Sequence, residues 1–578
     1  MKYKSVVLFL IITVYLVTLL SGCDKSFENP GDYLGGGGTV LTVPEESKSG
    51  NTEAALSAVE SIEADGDVTE VPEGATEISE EKDNLSITQP GSYCLRGEIN
   101  DKVEITAENV TLYLCGATLK NGKKVIESTC SLTVTLIREN YICNTNTKEA
   151  KNAIDVEGDL IINGRGSMEI ESVKNGIKAN SISIFGAKLT IRSTGDGLHA
   201  EAGVYDDAAV QPDPSYDDGG YVYLFGADLT VTSGDDGIQA DTFIYIAGNS
   251  KVDISAGGGA PAGITEVSSD NASGKGIKAG EIDWGAAEED LEWEGYLVWI
   301  ESGAVTVDAN DDALHSNGEL RIEGGTISIS SGDDAIHSDD LLQITDGTVT
   351  IDKCYEGIES AKVEISGGTI EIQSYEDGIN AADGTQNMFN GSNGNCHIII
   401  SGGYISVNCI GREGDGIDSN GTILISGGEL YIAGSSGSAD AALDADGGIL
   451  IDGGYVFATG SLGMVETPAS NSSQYCVSFA ASQSLSSGTT LYLCDGNGDV
   501  IMYFMVPMDC QSVIISCPEF ENGRSYSIYG GDSLLTSFTI SSTITVIGSE
   551  APVRDPAGCP EGIVRGPILR VLAEGNNV

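Results

Sequence analysis

Acidic residues recur at matched places along the middle of this chain. Asp196, Asp236, Asp312, Asp334, Glu356, Asp377 and Asp415 each stand two residues before a branched apolar residue. One place earlier come Asp235, Asp311, Asp333 and Glu376. Carboxylates are hard oxygen donors, and several converging on one point suit Ca²⁺. On backbones ~4.8 Å apart, two unit charges repel by roughly 0.9 kcal/mol in water and several-fold more when partly buried. The double acidic file at 311, 312, 333, 334, 356, 376 and 377 is therefore costly unless a cation sits in it. A blander reading competes: Asp before Gly favours turns through local hydrogen bonds.

A second set follows the branched residue by one place: His199, Gln239, Lys278, His315 and His337, with Asp155, Lys178, Glu359, Asn380, Asp418 and Asp444 in the same slot. The chain has 4 histidines, and three of them are here. Long polar side chains in a line on a sheet make a track for a linear polymer, or only a solvated face. His315 and His337 raise zinc, but no third ligand accompanies them. The tryptophans cluster in DWGAAEEDLEWEGYLVW, 283–299. There Trp284, Trp293 and Tyr296 offer apolar faces that sugar C–H groups can cover, while Trp299 lies where alternation resumes and reads as buried. A further inserted stretch, 204–220, carries Tyr205, Tyr216 and several aspartates.

The elements that position these columns come from the repeat. NDDALHSNGELRIEGGTISIS at 310–330 is followed by SGDDAIHSDDLLQITDGTVTI at 331–351. The branched marker appears as Ile154, Ile177, Leu198, Ile238, Ile277, Leu314, Ile336, Ile358, Ile379, Ile417 and Leu443. Most of the short steps are about 22 residues, and the longer ones each carry an inserted loop. A small residue two places on shares the marker's strand face, because side chains alternate along a strand. Three short strands and three turns per period describe one coil of a parallel β-helix. Leucine-rich repeats need a leucine and asparagine spacing that is absent, and the nine-residue calcium repeat fails on period. The expected fold is all-β: a right-handed parallel β-helix, about 22 residues and three strands per coil, with a small C-terminal β domain.

Bulk properties set the rest. With 578 residues and a net charge of −58, nucleic acid is excluded as a partner, since it needs basic patches. Lys2 and Lys4 precede an apolar run ending at LSGC. This reads as an export signal over 1–23, with a lipobox-like Cys23 as the lipidated residue of a bacterial lipoprotein. Membrane contact is then through the anchor only, and the chain lies outside the cytoplasm, at the cell surface. Residues 24–84 read as an acidic flexible tether, 85–462 as the β-helix, 463–548 as a small β domain able to cap it, and 549–578 as an unassigned tail. None of the cysteines forms a CxxC pair, so they read as apolar filler or as disulfides whose pairing spacing does not give.

GDGIDSNGTILISGG at 414–428, DAALDADGGILIDGGYVFATGS after it, ITQPGSYCLRGEI at 87–99 and LYLCDGNGDVIMYF in the C-terminal module resemble a bacterial family of secreted carbohydrate-binding β-helix proteins. The resemblance implies a helix like that of pectate lyases, bound calcium, and binding of cellulose-like and acidic plant polysaccharides. It carries Asp312, Asp334, Asp377 and Asp415 over as calcium ligands. Lys275 and Asn175 depart from the pattern, which puts calcium at their coils in doubt.

The scaffold also invites catalysis. Polygalacturonase-like hydrolysis needs G-H-G and R-x-K beside its aspartates, and neither motif occurs. A lyase needs Ca²⁺ and a basic residue; Lys178, Lys278 and Arg412 are available without a recognisable constellation. The expected function is non-enzymatic polysaccharide binding on a calcium-stabilised scaffold. The alternatives are a calcium-dependent polysaccharide lyase and a structural spacer or adhesin without a sugar site.

Overall fold

Short runs of alternating branched and polar residues, punctuated by Gly and Asp, form strands that cannot bury their apolar face alone. The computed structural model describes residues 69–79, 85–202, 219–269, 273–280, 296–384, 394–437 and 440–548. All of them belong to one compact unit, Glu46–Pro560. Strand dominates; among the described residues the sole α-helix is the single turn Glu266–Ser269.

Each period folds as three strands. One coil holds Leu314–Ser316, Glu319–Ile322 and Thr326–Ser330, and the next starts at Ile336. Each strand pairs in parallel with its equivalent one coil on, giving three parallel ladders. The fold is the expected parallel β-helix. The marker residues from Ile154 to Leu443 are register partners in succession, and every one is fully buried. Burying one such side chain is worth about 1.5–3 kcal/mol, and that gain is realised only when neighbouring coils stack. The same column continues upstream through Leu85, Val103 and Ile126, and Asp101 stands two places before Val103 as the later acids do before their markers. Parallel pairing also reaches Thr76–Ile78, inside the stretch read as tether, which lies against Tyr93–Leu95.

The turn before the marker demands a very small residue because the next coil passes close by. A Cβ on Gly378 would sit 2.1 Å from Val407 Cγ1 and 2.6 Å from the Gly416 carbonyl oxygen. Gly416 is equally confined, by Ile432 and the Ala442 carbonyl.

The last strand of the third ladder, Tyr455–Gly460, pairs antiparallel with Cys510–Ser516. The other two final strands are met by side chains and backbone of 466–474. Ala445 N donates to Glu466 Oε2 at 3.1 Å and Ile451 N donates to Ser472 Oγ at 3.1 Å. Ala469 N donates to the Ile449 carbonyl at 2.7 Å. Beyond lies a four-stranded antiparallel sheet, ordered Val500–Met505, Thr490–Cys494, Ser525–Gly530, Ser533–Thr539. Its inner face packs Leu491, Leu493, Tyr526 and Phe538 into a separate core with Phe457 of the solenoid. The cysteines of the described residues are all free, and all but Cys130 are buried, as apolar filler would be. Cys94 and Cys115 approach to 3.2 Å across adjacent coils.

Candidate functional site: an acidic file in two halves

The turn carboxylates do form a file, and their first role is to join coils. Asp236 N donates to Asp196 Oδ1 at 3.2 Å, and Lys275 N to Asp236 Oδ1 at 2.7 Å. Asp334 N donates to Asp312 Oδ1 at 3.1 Å, Asp415 N to Asp377 Oδ1 at 2.6 Å, and Ala441 N to Asp415 Oδ1. Asn175, with its amide oxygen, does the same for Asp196 N at 3.3 Å. The local turn-forming explanation is thus replaced by a coil-to-coil one: one oxygen caps the amide of the following coil.

The second oxygen meets the residue three places on, and here the file divides. In the first half that residue is a histidine after Asp196, Asp312 and Asp334, and Gln239 after Asp236. His199 Nδ1 lies 2.7 Å from Asp196 Oδ2, His315 Nδ1 2.8 Å from Asp312 Oδ2, and His337 Nδ1 2.8 Å from Asp334 Oδ2. His199 also meets Glu201 through Nε2 at 3.2 Å, and Lys178 pairs with the same Glu201. Burial opposes the charge on His199, but the two carboxylates push its pKa up to about 9. Asp235 stands beside Asp236, whose pKa is pushed up to about 6 by burial.

Lys275 supplies a second internal cation. Its Nζ lies 3.0 Å from Asp311 Oδ1 and 2.5 Å from Asp312 Oδ2. Against the effect of burial, Lys275 and His315 hold the Asp312 carboxyl far below the usual range. His315 is only 8% exposed. Burial, with Lys275 and His337 nearby, lowers its pKa to about 4, so it is neutral, and its Nε2 accepts from Asn317 Nδ2 at 3.2 Å. His337 stacks on it at 5.0 Å and 11°. Despite burial, His337 is kept protonated by Asp334, by Asp339 at 3.0 Å and by Glu359 at 3.3 Å. Zinc therefore has no free imidazole nitrogen here.

From Glu356 onward no histidine or lysine stands three places after the turn carboxylate. The residue three places on becomes Glu359, Asn380 and Asp418, and the next coil adds Asp444. Burial, then Asp334, Glu359 and Asp377, raise the Glu356 pKa. Burial, with Glu376 and other carboxylates nearby, pushes Asp377 up to about 7. Burial and Asp377 push Asp415 up to about 9 and Asp418 to about 8, with Asp444 adding to both. Oxygens of Asp415, Asp418 and Asp444 lie within 4.8 Å of one another. Asn380 Nδ2 donates to Glu356 Oε2 at 3.0 Å, while its buried Oδ1 has no hydrogen-bond partner.

Among the described residues, three groups could hold a metal ion: Asp311, Asp312 and Asp333; Asp334, His337 and Glu359; and Asp415, Asp418 and Asp444. In the first, Lys275 already supplies the positive charge, although burial and Asp312 still push Asp333 to about 7. The second contains a histidinium. The third offers oxygen donors alone, with an orphan amide oxygen one coil away, and it fits a hard divalent cation.

The polar column faces outward but is not a free track. His199, His315 and His337 are spent on carboxylates, whereas Gln239 and Lys278 flank them in register. Trp299 is buried at 7% and meets Tyr245 edge-on at 5.0 Å, on a stripe with Tyr223. Tyr296 is partly exposed. Trp284, Trp293, Tyr205, Tyr216 and Cys23 lie outside the described residues. In sequence Asp418, Asp444 and Asn380 fall in the outward column, whereas the fold brings Asp418 and Asp444 together with Asp415. Reading the two columns together, as D-x-x-H against D-x-x-D, is the signal that would have found them.

A family of carbohydrate-binding domain-containing proteins matches residues 81–335 and 287–463, well over half the chain. The chain belongs to that family. No curated relative and no solved structure matches it.

Proposed function

We propose that this protein is a surface-anchored polysaccharide-binding lipoprotein whose β-helix holds Ca²⁺ at the C-terminal half of its acidic file. The single observation that carries the reading is the change, along one continuous column, from carboxylates set against Lys275 and histidines to carboxylates crowded on one another, with oxygens of Asp415, Asp418 and Asp444 within 4.8 Å. Asp415, Asp418 and Asp444, with Asp377 and the Asn380 amide oxygen beside them, would hold the ion. Bound there, calcium would supply a positive centre able to take the carboxylate of an acidic sugar. Carboxylates this close and this buried favour a cation over a second negative group, so the metal-free face repels polyuronates. Repeated residues suit a repeating ligand, and the family description supports sugar as its class. Cys23 would provide the anchor, keeping the solenoid at the cell surface.

The test is sedimentation with polygalacturonate in calcium or in chelator, on wild type and on Asp415→Asn/Asp418→Asn. Retention that needs both calcium and the two aspartates supports the proposal. Retention indifferent to both overturns it. Absorbance of an unsaturated product in the same tubes would convert the reading to a calcium-dependent lyase.

A further inference from the structure

The four-stranded C-terminal sheet has a solvent face unlike the rest of the molecule. Its strands read TLYLC, VIMYFM, SYSIYG and SLLTSFT, without one charged residue, in a chain that is 20% charged. Alternation turns Leu491, Leu493, Met502, Ile528 and Phe538 inward, and they are buried. The outward residues fall in register: Tyr503 opposite Tyr492, Tyr492 opposite Tyr529, and Tyr529 opposite Leu534. This is a row across the whole sheet, perpendicular to the strands. Tyr503 and Met505 are each 62% exposed, Val500 55% and Leu534 54%. The Tyr492 and Tyr503 rings lie 6.2 Å apart. Beside the row, Ser527 and Ser537 hydroxyls pair at 2.9 Å, and Ser525 and Thr539 at 2.8 Å.

On the opposite, inner side of the same edge strand, Phe504 joins the sheet to the solenoid. Tyr404 is 36% exposed and packs on Tyr431 at 5.8 Å, which packs on Phe504 at 5.5 Å. The Tyr404 phenol is raised in pKa by partial burial, then by Glu371 and Glu429, with Tyr503 close enough to add to it. Exposed apolar surface of this kind marks a contact site. Its chemistry names the partner. Tyrosine faces cover the C–H faces of pyranose rings, and hydroxyls that donate and accept match sugar hydroxyls. Two strand spacings, roughly 10 Å, span about two sugar residues. An island without charge in a chain of net charge −58 has nothing to hold an anionic polymer, and no metal cluster of the described residues lies on it.

We propose that the outer face of this sheet, through Tyr503, Tyr492 and Tyr529, is a second polysaccharide site that takes neutral chains without metal. The site lies beyond residue 463, where the family match ends, and only the class of its ligand rests on the family reading.

The experiment uses the whole protein and insoluble neutral glucan in chelator, so that the calcium-dependent face is silent. Wild type should be retained, and Tyr503→Ala/Tyr492→Ala should bind at least tenfold more weakly. Tyr503→Phe should keep most of the affinity, and Asp415→Asn/Asp418→Asn should behave as wild type. No retention of wild type in chelator, or equal retention of the double tyrosine variant, overturns the site whatever happens with polygalacturonate. Light scattering separates the remaining occupant: a wild-type dimer that becomes monomeric in the double variant assigns the face to a second copy and also overturns the proposal.

Discussion

At the scale of single residues, charge compensation decides what each carboxylate does. Lys275 is the clearest case, because its amine sits between Asp311 and Asp312. Lys275→Met should destabilise the protein by about 3–5 kcal/mol, the usual cost of leaving a buried charge unpaired, read as a lower denaturation midpoint. It should also create a calcium requirement at that coil, seen as a larger calcium-induced Tm rise than wild type shows. Asp418→Asn should do the reverse. It relieves repulsion at Asp415 and Asp377, so its chelated form should melt above chelated wild type, with a smaller calcium response. The sequence made the acidic column legible but not its division. Lys275 read as a mere departure from the pattern, because the distance from its amine to two carboxylates one coil away belongs to the fold.

At the scale of the element, the coil is held by shape as much as by burial. Gly378→Val would drive a side chain into Val407 and the Gly416 carbonyl of the next coil. Overpacking typically costs 1–3 kcal/mol, and a clash with backbone falls at or above about 3 kcal/mol, measurable by urea denaturation. Ile336→Ala, in the fully buried column, should cost about 2–5 kcal/mol. Hydrogen exchange should rise in the adjoining coils rather than across the chain, because repeats contact only their neighbours. This level was the most readable: marker spacing translates into register when every coil has the same three strands. The first coils fall inside the expected β-helix, but their markers are harder to read, because Val103 and Ile126 follow Lys102 and Val125 rather than the Gly or Ala that precedes later markers.

At the scale of the whole molecule, the raised carboxyl pKa values set a pH dependence. Asp415 has a folded pKa of about 9 against 3.8 for an ordinary Asp. The folded state therefore holds more protons than the unfolded state between those limits, and stability falls as pH rises through them. His199, at about 9 against 6.5, acts in the same sense: its contribution is complete below the lower value and lost through the higher. In chelator, Tm should decline steadily from about pH 5 to 9. Calcium, by binding the ionised carboxylates of the folded state, should flatten that decline. An identical slope with and without calcium would remove the metal from the acidic file.

The hydrogen bonds that meet the three final strands, from Glu466, Ala469, Ser472 and Cys510–Ser516, bear on self-assembly. A ladder of in-register parallel strands is a template for its own kind, and an open last rung would recruit the first rung of another chain. Here each of the three final strands already has part of its outer edge engaged. Head-to-tail fibres cannot grow from this end, and truncation before residue 463 should turn a dispersed protein into a filament-former.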